Sequence, residues 1–172
     1  MSDMDIRAEK PEDVNAIHQV NREAFGRENE AVLVDQLRGI ASTVSLVAVY
    51  SEQIVGHLFF SPVTIAGHCS SDLLILGLAP VAVLPHYQKQ GIGSLLIQQG
   101  LKTCHQFGCD AVVVLGDPKY YSRFGFVSAS TQGLRCEYDV PDEAFMVLEL
   151  SGAALQECSG TVQYRSEFKV CE

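Results

Sequence analysis

The residues best placed for specific chemistry lie together in Gln88-Lys-Gln-Gly-Ile-Gly-Ser94. Gly91 and Gly93 open a helical stretch, after an apolar strand that ends at Val83 and a turn at Pro85. Glycines there remove side chains where the first helical amides point outward, and the helix dipole adds partial positive charge. The chemistry on offer is retention of a phosphate-sized anion. Two familiar phosphate loops do not fit. A Walker loop needs Gly-Lys-Ser/Thr, which is absent, and the dinucleotide fingerprint needs glycine where Leu96 stands. On the glycines alone, a plain strand-to-helix turn stays as the alternative.

Pro80 adds a second signal. A proline inside a central strand cannot donate to the ladder. The conflict resolves if the ladder opens there, leaving backbone groups free for an extended, amide-bearing ligand. A strand with free amides followed by an anion-holding turn suits a molecule with an amide arm and a pyrophosphate.

The elements that must position this turn follow from alternation and run length. Residues 6–9 read as a first strand, and Pro11 stands at a helix entrance, where its missing N–H does no harm. Val14, Ile17, Val20, Ala24 and Phe25 recur at helical spacing until Gly26, and a second helix covers residues 28–37, closed by Gly39. Residues 44–50 and 54–65 read as strands joined by a tight turn, and residues 73–83 as a long buried one. Residues 92–107 form a helix, with Ile92, Leu96, Gly100, Cys104 and Phe107 on one face. Residues 110–115 are a further buried strand, and residues 118–121 a short helix ending near Gly125. Residues 145–150 and 162–168 supply the last strands, with a short helix around residues 153–156. With no repeat, linker or low-complexity tract, the expectation is a single α/β domain over residues 1–172.

Composition bounds what such a domain can do. Of 172 residues, 47% are hydrophobic and 19% charged, so a packed core is expected and wholesale disorder is not. A formal net charge of −9 argues against nucleic acid or an anionic membrane as partner. The start, Met1-Ser-Asp-Met-Asp5, lacks the basic and apolar stretches of a signal peptide, and the longest apolar run is too short for a membrane span. Cys69, Cys104, Cys109, Cys136, Cys158 and Cys171 have no zinc-ligand spacing and no nucleophile motif. The expectation is a cytoplasmic protein with reduced thiols, no metal and no acyl-enzyme.

At this point the glycine turn resembles something specific. Gln88-Lys-Gln-Gly-Ile-Gly93 is similar to the Q/R-x-x-G-x-G/A signature of the GNAT-type N-acetyltransferase superfamily. Val81-Ala-Val-Leu-Pro85 resembles that family's pantetheine-binding strand and its exit, and Tyr121 and Gly125 match its Y-x-x-x-G-F block. The doubled tyrosine and the Arg-Phe-Gly-Phe ending resemble an uncharacterised bacterial subgroup of predicted N-acetyltransferases. The resemblance covers roughly residues 6–168 by order of elements, and its sharp motifs lie between Leu78 and Phe126. It implies a GNAT-like fold: a mixed, centrally splayed sheet of about seven strands, flanked by helices.

The implied activity is direct transfer of acetyl from acetyl-CoA to a primary amine of a small-molecule or peptide acceptor. Resemblance places the cosubstrate along Val81, Ala82 and Val83, with Gln88, Lys89, Gln90, Gly91, Ile92, Gly93 and Ser94 around the pyrophosphate. An N–H near Val83 is the implied oxyanion donor, and Lys89 either assists the phosphates or is a solvated loop lysine. Tyr121 is the implied general acid, since a phenol pKa of about 10 lies within reach of a thiol's ~8.5; its alternative is core packing. Tyr120 reads as structural and Asp117 as a helix cap. Many relatives carry a carboxylate base on the strand before the turn, but residues 73–83 have none, leaving Glu23, Asp72 and His57; His86 and His105 read as surface residues. Alternatives kept open are a longer acyl group, a hydroxyl acceptor and a non-catalytic acyl-CoA sensor. A second copy of the chain, in a homodimer, is a further candidate partner.

Overall fold

The computed structural model describes residues 3–172; Met1 and Ser2, where the reading of the chain's start begins, lie outside them. The elements in chain order are β1 (Met4–Ala8), α1 (Val14–Phe25), α2 (Asn29–Leu37), β2 (Val44–Tyr50), β3 (Gln53–Pro62), β4 (Thr64–His68) and β5 (Ile75–Val83). There follow α3 (Ile92–Phe107), β6 (Ala111–Leu115), α4 (Pro118–Tyr121), β7 (Val127–Ser128), β8 (Leu134–Cys136), β9 (Phe145–Glu149) and β10 (Ser159–Gln163). Seven strands form one sheet in the order β1-β2-β3-β5-β6-β9-β7, as many as expected. It is mixed, with β5 and β6 parallel and the pairs β1–β2, β2–β3, β6–β9 and β7–β9 antiparallel. Among the described residues, no helix is long and apolar enough to cross a membrane.

The chain forms two compact units. The first comprises the residues up to Ser61 with Ala79–Thr103 and Ser166–Glu172; the second comprises Pro62–Leu78 and Cys104–Arg165.

In the first unit, β3 is buried on both faces, and period-two alternation assigns each face a helix. Gly56, Leu58 and Phe60 face α3. A Cβ on Gly100 would come within 2.8 Å of Phe60 and 3.1 Å of Leu58, and one on Gly56 within 3.1 Å of Leu96 and 3.2 Å of Ile92. These two glycines let helix and strand approach closely, which fixes where α3 begins. The helix starts read from sequence hold: Pro11 opens a 3-10 turn before α1, and Gly26, at φ 68, closes α1 by donating to Arg22 O. Helix α2 closes at Arg38, one residue before the expected Gly39.

The opposite face of β3 carries a buried polar chain. Asn21 Nδ2 donates to Ile17 O at 3.0 Å and to His57 Nδ1 at 3.1 Å. Ser45 Oγ lies 2.9 Å from His57 Nε2 and donates to Glu9 Oε1 at 2.6 Å, so Nε2 bears the ring proton and donates to Ser45. Arg38 Nε in turn donates to Glu9 Oε2 at 2.7 Å, and its Nη1 to Asp35 at 2.8 Å. Burial, followed by the Arg38 charge, pushes the His57 pKa down to about 3.

In the second unit, β5 pairs with β6 through Ile75, Leu76 and Gly77, before Pro80 is reached. Val63, Ile75, Val113, Phe145, Val147 and Val162 form its core. The single strand expected over residues 54–65 divides at Pro62, which has no N–H to give a ladder. Val63 N donates instead to Ile75 O at 3.0 Å, and β4 joins a second sheet of order β4-β10-β8. The expected strand at 162–168 is replaced by β10 and by a 3-10 turn at Ser166–Cys171 in the first unit. Gly160 and Gly67 face each other, both at positive φ, where a Cβ on either would strike the partner backbone. Residues 153–156 form turns rather than a helix.

One expectation about the thiols is corrected here. Cys69 and Cys158 are joined by a disulfide. Ser159 pairs with His68, so these cysteines are the next facing residues of the β4–β10 ladder, with Cα atoms 4.3 Å apart. The linear spacing of 89 residues hid this, because only the ladder brings them together.

The buried imidazole generates a test. The unfolded chain takes up a proton on His57 below about pH 6.5, whereas the folded chain does not until about pH 3. The unfolded state then holds more protons, so stability falls as pH falls through this window, by about 2 kcal/mol between pH 7 and pH 5 from this residue. Urea denaturation at both pH values should show a larger acid loss for wild type than for His57→Gln. Equal losses would show that the imidazole is protonated in the folded protein.

Candidate functional site

The glycine turn lies wholly in the first unit. Strand β5 ends at Val83, and Leu84 N donates to Val55 O at 2.9 Å, fastening the strand exit to β3. Pro85 starts a single 3-10 turn, closed by Tyr87 N on Leu84 O at 2.8 Å, and the Tyr87 ring lies 6.0 Å from that of Tyr50. Gln88 Nε2 donates to Val83 O at 3.0 Å, and Gln90 Nε2 to His86 O at 3.2 Å. Two side-chain amides of the motif therefore hold the turn's own backbone.

The backbone then reverses hand twice. Lys89 has φ 62 and Gly91 φ 87, both left-handed. Alternation of this kind turns successive N–H groups toward one concavity, a nest for an anion. The first helical bond of α3 runs from Leu95 N to Gly91 O at 3.1 Å, so the amides of Ile92 and Gly93 have no partner within the helix. A Cβ on Gly91 would meet nothing within 4 Å, so the space beside Gly91 itself is open. Ile92 is buried against Gly56 and anchors the helix start to the core.

The residues expected to hold the cosubstrate, Val81 to Ser94, thus lie together in the first unit. Gln88, Lys89, Gln90 and Gly91 are exposed, Gly93 and Ser94 half-buried. Along β5, Val81 and Val83 share one half-buried face and Ala82 is buried on the other. The left-handed turn at Lys89 was missed, since lysine carries no signal for that conformation. The locking role of Gln88 was missed as well; only the strand exit five residues earlier reveals it.

Tyr121 belongs to the second unit and is described within it. Asp117 caps α4, its Oδ1 accepting from Lys119 N at 3.0 Å, and Pro118 takes the first helical position, as the sequence implied. The Tyr121 ring packs edge-on to Tyr120 and Phe126, at centroid distances of 5.1 and 5.7 Å, and against Gly116. Gly125, at φ 97, reverses the chain behind it. Burial, followed by the proximity of Tyr120, pushes the Tyr121 pKa up to about 12. Tyr120 stands under the Arg123 guanidinium, 4.6 Å from the ring centre.

Among the candidate bases, His57 is a neutral hydrogen-bonding core residue. Asp72, His86 and His105 are exposed in turns or at a helix end. Glu23 is exposed on α1 and lines a cavity with Gln53 and Leu84. Cys104 and Cys109 are buried, and the hydrogen bond between them pushes the Cys104 thiol up, so it is no nucleophile.

Comparisons with known proteins meet this geometry. Residues 5–129 match the family model described as an acetyltransferase (GNAT) domain. The chain is 41% identical over 165 residues to the uncharacterized N-acetyltransferase YhbS of Escherichia coli, covering 95% of this chain and 97% of that one. The crystal structure of E. coli YhbS in complex with CoA superposes with a TM-score of 0.89 at 40% identity, over 96% of this chain and 92% of that one. A GNAT family acetyltransferase from Brucella melitensis in complex with acetyl-CoA gives a TM-score of 0.77 at 37% identity, over 96% and 97% of the two chains. With its motifs in the expected elements and 95% of its length matched by such a relative, this chain belongs to the GNAT family of N-acetyltransferases.

Proposed function

We propose that the chain passes an acetyl group from acetyl-CoA directly to a primary amine of a small-molecule or peptide acceptor, with residues 1–172 acting as one catalytic domain. The observation that carries the reading is the open, left-handed turn at Gly91, which presents the first amides of α3 to an anion. A net charge of −9 gives coenzyme A no overall attraction, so local groups such as these amides are left to hold it. The two solved relatives holding CoA and acetyl-CoA support the same ligand here.

In this reading Val81, Ala82 and Val83 receive the pantetheine amides and Gln88 to Ser94 the pyrophosphate. The Val83 N–H stabilises the oxyanion that forms as the amine attacks the thioester carbonyl. Tyr121 donates its phenol proton to the departing thiolate, and the proton released by the acetylated nitrogen restores the phenol. Its raised pKa supports that role in one respect: burial keeps the proton on the phenol throughout the physiological range. No cysteine carries the acetyl group, because direct attack needs no acyl-enzyme.

Two substitutions test the reading. Gly91→Asp should weaken CoA binding by at least ~2 kcal/mol, about thirtyfold, through lost amide contacts and like-charge repulsion. Gly91→Ala is the control, since it adds backbone strain at φ 87 without the charge. Calorimetry on both folded variants reads the difference. A folded Gly91→Asp protein that binds CoA as tightly as wild type would remove the reading. Tyr121→Phe should lower kcat by roughly 10²-fold with CoA affinity unchanged, measured as thiol release with an amine that supports turnover. Undiminished kcat would make Tyr121 a packing residue.

A further inference from the structure

Two histidines of the first unit are held in opposite ways. His57 is buried and neutral, whereas His18, on α1, is half-buried with a carboxylate on each ring nitrogen. Its Nδ1 lies 2.8 Å from Asp35 Oδ2, and its Nε2 lies 2.8 Å from Glu28 Oε2. Ionised carboxylates only accept, so the two bonds together require a ring that carries both protons. A neutral imidazole keeps one N–H, and its other nitrogen then turns a lone pair on a carboxylate at hydrogen-bond distance. Both contacts coexist in the imidazolium alone.

The two carboxylates belong to opposite ends of one helix. Glu28 is the N-cap residue of α2 and Asp35 lies in its last turn, so one ring on α1 spans α2. Their other partners differ in strength. Asp35 Oδ1 accepts from Arg38 Nη1 at 2.8 Å, and Arg38 is itself fixed by Glu9, which Ser45 joins to His57. Glu28 has the Arg22 guanidinium as its second partner, at 3.7 Å, with both side chains more than half exposed. The charged groups around His18 are therefore Arg22 on α1, Glu28 on the α1–α2 turn, and Asp35 and Arg38 at the far end of α2. The residues on either side of Glu28 hold the 3-10 turn at Ser166–Cys171. Arg27 Nη2 donates to Cys171 O at 3.4 Å, and Asn29 Nδ2 to Val170 O at 2.6 Å.

We propose that His18 is a proton-operated clamp on this helix pair: as an imidazolium it ties α1 to both ends of α2, and on losing its proton it loosens the α1–α2 turn and the 3-10 turn seated there. Asp35 is held from behind by Arg38, so the turn that bears Glu28 is the part that moves. The hydrogen bond to Asp35 raises the His18 pKa above its ordinary value; partial burial opposes this, and the Glu28 bond adds to it. A folded-state pKa above the unfolded one gives stability that is complete below about pH 6.5 and is lost as pH rises through the folded value. His57 works in the reverse direction, losing stability as pH falls. The clamp takes no part in the acyl-transfer chemistry and stands whether or not that reading does.

Amide hydrogen exchange on the ¹⁵N-labelled full chain at pH 6 and pH 8.5, corrected for the intrinsic pH dependence of exchange, reads the clamp locally. Val32 N donates to Glu28 O at 2.9 Å in the first turn of α2 and reports on the clamped turn. Its protection should fall at least about threefold from pH 6 to pH 8.5, the scale of an exposed ion pair, while Val112 and Val113 on β6 show no such loss. The His18 ring, followed by its own proton shifts, should titrate above about pH 6.5. His18→Gln, neutral at both pH values, should show the lower Val32 protection at pH 6 as well and no further fall at pH 8.5. Equal Val32 protection at both pH values in wild type, the wild-type fall persisting in folded His18→Gln, or a ring that titrates at or below about pH 6.5 would overturn the proposal. The two wild-type measurements decide it without the variant should the substitution prevent folding.

Discussion

The backbone path from Val83 to Ile92 is the constraint on which the rest depends. Within a few residues the chain must leave a strand, reverse hand at Lys89 and Gly91, and enter a helix whose Ile92 and Gly93 amides have no partner within it. An isolated turn of this kind would be one conformation among many, and fixing it costs about 1–2 kcal/mol per residue. The fold meets that cost from both ends. Leu84 is tied to Val55 and Gln88 to Val83 at the strand exit, while Ile92 and Leu96 are seated against Gly56 at the helix start. The turn is therefore largely preorganised before any ligand arrives.

The same unit shows how burial assigns roles to titratable groups. His57 sits at the centre of a hydrogen-bond chain that runs from Asn21 through Ser45 to Glu9 and Arg38. Each partner has a fixed donor or acceptor role, and burial keeps the ring neutral. A histidine so held aligns β1, β2, β3 and α1; it is poorly suited to accept a proton from an acceptor amine. Tyr121 is perturbed by the same force with the opposite sign, since burial penalises whichever form is charged.

Much of this was legible in the sequence. Helix α3 matches its expected bounds because its apolar positions recur at helical spacing and Gly91 marks its start. Asp117, Pro118 and Gly125 act where local chemistry placed them, as cap, first residue and reversal. What escaped was non-local. Pro62 divides the strand expected over residues 54–65 between two sheets, and the Cys69–Cys158 bridge exists because β10 returns beside β4. The left-handed Lys89 escaped for a different reason: its conformation is imposed by the flanking anchors, against its own preference.

The proposed function relies above all on backbone amides at the start of α3 to hold the pyrophosphate. The most direct test is an amide NMR titration of uniformly ¹⁵N-labelled wild-type protein with coenzyme A. The largest shifts at saturation should fall on Gly91, Ile92 and Gly93, with a second group on Val81 to Val83. Saturable binding that leaves the Gly91, Ile92 and Gly93 amides unmoved would contradict it.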